Sequence, residues 1–357
     1  MAHKRARKRL AVLVLASVLR LPAQAAQAPA ADLIPTSLAK EVVGRTIELV
    51  ETNALPPRDP AEYAQAKTAL LAVLSAAGEH SDRRALFQHV DTLLGTLDAD
   101  RHSFIRSPVA MQGQQAARVT ALAAAAPVSS FALLDTGGGK VLHWTPPQSV
   151  GNMEVEAPAF LKRFMADASA LPGLSSACAL VVDLSAQRGG NAWPPFAAMH
   201  PLLSAANTAS MVDRNGVRQR YVHPQTLAQI EQRHGGEGKN PLLRFAGTPL
   251  GVVVGGQTSS AGEMLLVALM GEGERVRTFG TVSHGMTTAN MSYPMADGST
   301  LILSERRYAV GDAPVIRGGI PAQVSAAAGA AAVRQAAEWA ASRSPLCRAP
   351  RQASAAP

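Results

Sequence analysis

Two long apolar runs, residues 177–184 and 249–254, each break off into a turn of small residues. The first leads to Arg188-Gly189-Gly190-Asn191 and the second to Gly255-Gly256-Gln257-Thr258-Ser259-Ser260. A strand apolar at nearly every position, not at alternate ones, is covered on both faces, which is the signature of a parallel sheet flanked by helices. Helical patterns follow both turns, one opening through Pro194-Pro195 and the other continuing over residues 264–270. Such a chain is α/β, and the carboxyl ends of its strands, where both turns fall, are where ligands bind in this class.

The remaining pattern agrees. Residues 32–97 carry three amphipathic helical faces, separated by Pro56-Pro57 and by residues 78–82, and predict a three-helix N-terminal region. Strands are expected at 130–134 and 141–144 around Gly137-Gly138-Gly139, a helix at 157–168, a short strand at 275–279, and a hairpin of 291–294 with 300–303 around Asp297-Gly298. Residues 111–126, rich in Ala and Gln, read as a lid-like segment, and residues 204–245 as a solvated insertion bearing Arg214, Arg218, Arg220, Arg233 and His234.

The formal charge of +8 is concentrated at one end. Lys4, Arg5, Arg7, Lys8, Arg9 and Arg20 precede the first acidic residue, and without them 28 basic residues face 26 acidic ones. With no aromatic-interleaved basic patch, nucleic acid is not an expected partner. Residues 3–28 instead read as a secretory leader, with a basic start, an apolar run over 10–19 and small residues around Ala23-Gln24-Ala25. Cleavage there implies a periplasmic or secreted protein, and a membrane association only if the leader is retained. The two cysteines, Cys178 and Cys347, lack metal-ligand spacing; an oxidising compartment permits a disulfide between them, and a buried thiol at Cys178 is the alternative.

Ser260 is the candidate nucleophile. It stands at a helix N-terminus, where exposed N–H groups and the helix dipole stabilise an oxyanion. The plain alternative is a helix cap, a routine duty of Ser and Thr. Gly189 or Gly190, with no side chain to hold a carbonyl away, and the N–H of Ala261 are the candidate oxyanion donors; the alternative for the glycines is an ordinary tight turn. Neither turn carries a phosphate-binding glycine pattern.

Three segments in order resemble one family. Residues 183–191, Thr258-Ser259-Ser260-Ala261-Gly262-Glu263 and residues 279–290 are similar to the tail-specific, or carboxy-terminal processing, serine peptidases. The resemblance implies a crotonase-like (ClpP/crotonase-type) αββ-rich core behind the helical region, with Ser260 as nucleophile. Many members place a general-base lysine in the later turn, where this chain has Gly285-Met286-Thr287, and methionine accepts no proton. The resemblance therefore points to the tricorn-core and nisin-resistance-protein-like Ser-His branch, whose histidine follows the helical region. Asp100-Arg101-His102-Ser103-Phe104 matches that segment and implies His102 as base, with His284 as the runner-up. Asp100 and Glu305 are candidate acids for orienting His102, with a simple dyad as the alternative; Glu263 is a supporting residue or a turn-backbone partner, and Asn290 supports the base or its loop.

The expected organisation is a signal peptide at 1–28, a helical region at 29–104, a catalytic core at 105–345 with no room for a PDZ module, and a flexible tail at 346–357. The expected activity is hydrolysis of peptide or protein substrates through an acyl-enzyme, with no cofactor and no metal. A non-catalytic ligand- or peptide-binding protein on the same fold is the alternative. An acyl-coenzyme A enzyme of the related crotonase-like fold is a third reading, and export counts against it.

Overall fold

The computed structural model describes residues 32–97, 101–113, 129–149, 153–234 and 239–348. The leader, Asp100 and most of the lid-like segment lie outside the described residues.

Helices α1 (Thr36–Asn53), α2 (Pro60–Ala76) and α3 (Arg83–Gly95) form the N-terminal region. Asp59 and Asp82 cap α2 and α3, each accepting two backbone N–H bonds from the first turn. A two-stranded antiparallel ribbon, β1 (Leu33–Pro35) with β2 (His80–Asp82), closes the region.

The centre of the molecule is a six-stranded sheet. Its strands are β4 (Ser130–Thr136), β5 (Gly139–Thr145), β6 (Ala177–Asp183), β9 (Leu250–Val254), β10 (Val276–Gly280) and β13 (Val324–Ser325), in the order β13-β10-β9-β6-β5-β4. All neighbours run parallel except the β4–β5 hairpin. The alternation of side chains sorts the central strands onto two cores. Leu180, Val182, Val252 and Val254 face a large core shared with α4 (Met153–Ser169), α5 (Trp193–Met199) and α7 (Ala261–Met270). Ala179, Val181 and Val253 face α8 (Ala330–Arg343), which presents a stripe of alanines. That stripe permits close approach: a Cβ at Gly251 would stand 2.8 Å from the Ala336 carbonyl oxygen.

A second sheet joins the two halves. It comprises β11 (Thr288–Pro294), β12 (Thr300–Val310), β7 (Ala209–Asp213) and β8 (Arg218–Arg220), and β3 (Phe104–Arg106) pairs with β12. One face of β12, Leu301 and Leu303, packs with Ile105 into the core of the N-terminal helices. The segment expected to be a solvated insertion thus supplies two strands and α6 (Pro224–His234). Arg214 ties it to the α1 carbonyls of Val50 and Glu51, and Arg218 donates to the carbonyls of Gly311 and Ala313. Strand β8 is three residues long with both arginines exposed, and β7 is a short mixed stretch, so neither has the apolar run that marks β6 and β9.

Cys178 and Cys347 form a disulfide that fastens α9 (Pro345–Arg348) beside the start of β6. The expected tail therefore begins inside a helix. Gly139 packs against the bond, where a Cβ would meet Cys178 Sγ at 2.7 Å.

Candidate active site

The two turns identified in the sequence lie side by side. Thr258, fully buried, donates from Oγ1 to the Leu184 carbonyl at the end of β6 and accepts from Gly255 N–H, so one hydroxyl holds its own turn and joins it to the other. Ser259 N–H donates to the Gln187 carbonyl, and that carbonyl approaches so closely that a Cβ at Gly262 would meet it at 2.5 Å. This lacing brings Gly189 against Ser260: a Cβ on Gly189 would stand 3.1 Å from Ser260 Cβ.

Ser260 occupies the N-cap of α7, and Glu263 reaches back to its N–H at 3.0 Å as in a capping box. The serine is a cap in position, but its hydroxyl faces elsewhere. Oγ lies 3.1 Å from Nε2 of His102, which sits on the segment just before β3 and is buried. Among the described residues only two non-glycines have positive φ: Ser260 at 50° and Arg101, immediately before His102, at 51°. Such conformations cost on the order of 1–3 kcal/mol each and gather at functional sites. Here both bracket a single hydrogen bond.

Around this pair, the potential oxyanion donors line up. Ala261 is the first residue of α7, so its N–H is one of the first-turn amides that have no intrahelical acceptor. Gly189 and Gly190 have φ of 98° and 102°, left-handed backbone that favours glycine. Ser260's own N–H is engaged by Glu263.

Glu263 is fully buried and anchors the turn from below. Besides Ser260 N–H, its carboxylate accepts from Ser283 Oγ at 2.5 Å and Gly285 N–H at 2.7 Å. Burial pushes its pKa up, while the bonds from Ser283, Gly285 and Ser260 and the charge of His284 pull it down; burial prevails. Of the two roles open to Glu263, it fills that of turn-backbone partner. His284 is exposed and does not line the cleft at Ser260; its N–H holds the Thr258 carbonyl.

Of the two candidate acids, only Glu305 falls among the described residues. Asp100 lies outside the described residues. Glu305 lines the same cleft as His102, and its carboxylate accepts from the Tyr293 hydroxyl, itself a partner of Asn53. The partner of His102 Nδ1 is the Thr288 hydroxyl, at 2.6 Å. Thr288 falls within the third of the three ordered segments, residues 279–290, where an uncharged side chain gives no sign of an orienting duty. Asn290 donates from its amide to the His102 carbonyl at 2.8 Å, holding the base's backbone.

The pair opens onto a cleft of about 1270 Å³ whose apolar lining includes Trp193, Met264, Met286, Met291 and Tyr308. Met286, in the turn where Ser-Lys members carry their base, contributes surface to this cleft. Among the described residues no group of three or more His, Cys, Asp or Glu is arranged to hold a metal ion.

Comparisons with known proteins bear on the family and the fold. Residues 150–324 match the family model described as Peptidase family S41. A nisin-resistance protein of Lactococcus lactis subsp. lactis is 33% identical over 127 residues, a match covering 34% of this chain and 37% of that protein. Among solved structures, a lipoprotein from Streptococcus agalactiae superposes with a TM-score of 0.66 at 16% identity, covering 85% of this chain and 96% of its own. A photosystem II D1 C-terminal processing protease superposes with a TM-score of 0.50 at 14% identity, covering 80% and 92%. At these identities the two structures speak for the fold.

Proposed function

From the chain's membership of peptidase family S41, carried by residues 150–324, we propose that it is an exported serine peptidase with Ser260 as nucleophile and His102 as general base. The observation that supports this most is the 3.1 Å contact between His102 Nε2 and Ser260 Oγ, held between two strained backbone positions. In this reading Ser260 Oγ attacks the scissile carbonyl while its proton passes to His102 Nε2. The oxyanion is met by the N–H of Ala261 and that of Gly189 or Gly190. His102 then gives its proton to the leaving amine, and a water molecule, activated in the same way, hydrolyses the ester and frees Ser260.

Substrate choice in this reading belongs to the cleft. Its lining carries Arg101, Arg106, Arg188, Arg220 and Arg306 against the single carboxylate of Glu305, set among methionine and aromatic side chains. That combination suits peptides that carry both carboxylates and bulky apolar groups. Export fits the leader-like residues 1–28 and the description of one structural neighbour as a lipoprotein.

The test is paired. Wild-type protein labels at Ser260 with a fluorophosphonate probe and cleaves peptides from a mixed-sequence library. Ser260→Ala loses both while keeping its circular-dichroism spectrum and unfolding temperature, and His102→Ala loses labelling. A wild-type protein that neither labels nor cleaves, yet retains peptides on equilibrium binding, is the non-catalytic alternative.

A further inference from the structure

The hydrogen bonds behind His102 form a closed ring: His102 Nδ1 to Thr288 Oγ1 (2.6 Å), Thr288 Oγ1 to Ser304 Oγ (3.2 Å), Ser304 Oγ to Asn290 Oδ1 (3.0 Å), and Asn290 Nδ2 to the His102 carbonyl (2.8 Å). The direction of every proton in it can be worked out. A backbone carbonyl only accepts, so the atom of Asn290 facing it is the amide nitrogen, and the other atom, Oδ1, only accepts. Ser304 must therefore donate its one hydroxyl proton to Asn290. That leaves Ser304 Oγ to accept from Thr288, whose only proton is thereby committed. Thr288 Oγ1 can then meet Nδ1 of His102 only as an acceptor, so Nδ1 carries the proton. In a neutral imidazole the other nitrogen, Nε2, then presents its lone pair. It is Nε2 that faces Ser260 Oγ.

We propose that Thr288, Ser304 and Asn290 are positioning residues that fix His102 in the Nδ1–H tautomer and aim its basic nitrogen at Ser260. The inference rests on the reading of His102 as general base, and it assigns to uncharged side chains the orienting duty that a carboxylate performs in Ser-His-Asp sites. The fold supplies the ring through an irregularity. Between β11 and β12 the register shifts after Ala289, so that Asn290 pairs with Ser304 and Ala289 with Arg306, and Glu305 is skipped. The bulge turns Ser304 toward Thr288 and Asn290 in place of the regular ladder, as bulges beside active sites commonly do. Thr288 and Ser304 are both buried, which keeps water from substituting for either hydroxyl.

Histidine-selective ¹⁵N NMR of the full-length protein tests the assignment without any substrate. The His102 signals, identified by their loss in His102→Ala, should show a protonated Nδ1 and an unprotonated Nε2 in the resting protein. In Thr288→Val, which keeps the shape and removes the hydroxyl, the two tautomers should mix and kcat should fall by roughly 10²-fold at nearly constant KM; Thr288→Ser should restore both. An Nε2–H tautomer in the wild type overturns the proposal. So does a Thr288→Val protein with wild-type tautomer and kcat. Failure of the two readings is distinguishable: the expected tautomer in a protein that cleaves nothing removes the peptidase reading alone, whereas active protein with the wrong tautomer removes the ring alone.

Discussion

Gly189 has φ of 98°, and a Cβ there would stand 3.6 Å from Ser260 Oγ, inside the space a tetrahedral intermediate would need. Gly189→Ala should therefore strain the turn and displace its N–H together. The expected outcome is a loss of kcat on the order of 10²-fold, the scale of one oxyanion donor, with a fall in unfolding free energy of only about 1–3 kcal/mol. Steady-state kinetics beside urea unfolding of the same variant checks this, and full turnover would remove the glycine turn from the oxyanion site. How far the site can be read in sequence also shows at this scale. Ser260, Gly189 and Gly190 stand out because a strand-to-helix turn restricts what fits there. His102 needed the resemblance to be singled out, since a lone histidine beside a short strand has no periodic signal. Thr288 stayed hidden because its role depends on a bulge and on hydroxyl direction, neither of which leaves a mark in residue type.

Among the elements, strands β5 and β6 are joined by a polar contact at the end of an otherwise apolar interface. Asp183, the last residue of β6, accepts from His143 Nε2 at 3.1 Å and from Ser185 N–H at 2.9 Å. Burial raises its pKa, but the bonds from His143 and from the Ser185 hydroxyl and N–H, with the charge of His143, outweigh it and leave the carboxyl below its ordinary value. A lowered folded-state pKa adds stability above the unfolded value, near pH 4, and that stability is lost as pH falls through the folded value. Asp183→Asn should thus be less stable than wild type by about 1–3 kcal/mol at neutral pH, and the gap should close below about pH 4. Urea denaturation at several pH values measures it; a gap that widens in acid would be the wrong sign. The central strands were legible as elements because both faces are covered and their runs are apolar throughout. Strands β7 and β8 were not: β8 is an edge strand whose arginines are exposed, and β7, only five residues long, mixes polar and apolar side chains.

For the molecule as a whole, the decisive quantity is where charge resides. Without the six basic residues of the first 20, the chain is close to neutral, yet the cleft gathers five arginines and one glutamate. A concave site with one dominant sign draws opposite charge, and salt screens that attraction within about 10 Å at 0.1 M. Peptides with Asp or Glu flanking the cleaved bond should therefore show a kcat/KM that falls roughly tenfold between low and high salt, while neutral peptides of the same length change little. Arg220→Ala should flatten that dependence. Equal salt profiles for acidic and neutral peptides would show that the arginines serve structure alone.

The disulfide has a consequence in time. Its two cysteines are 169 residues apart, and one lies at the start of the central strand β6 while the other follows α8. The cross-link can form only after the two glycine-rich turns, both sheets and α8 have left the ribosome. It therefore acts as a latch on sheets whose strands are already made and gives no guidance to their early folding. Closing so long a loop restricts the unfolded chain by about 5 kcal/mol in the entropic account. A protein made under reducing conditions should reach the same site geometry and then unfold more readily, beginning where α9 and the end of α8 lie over the sheet.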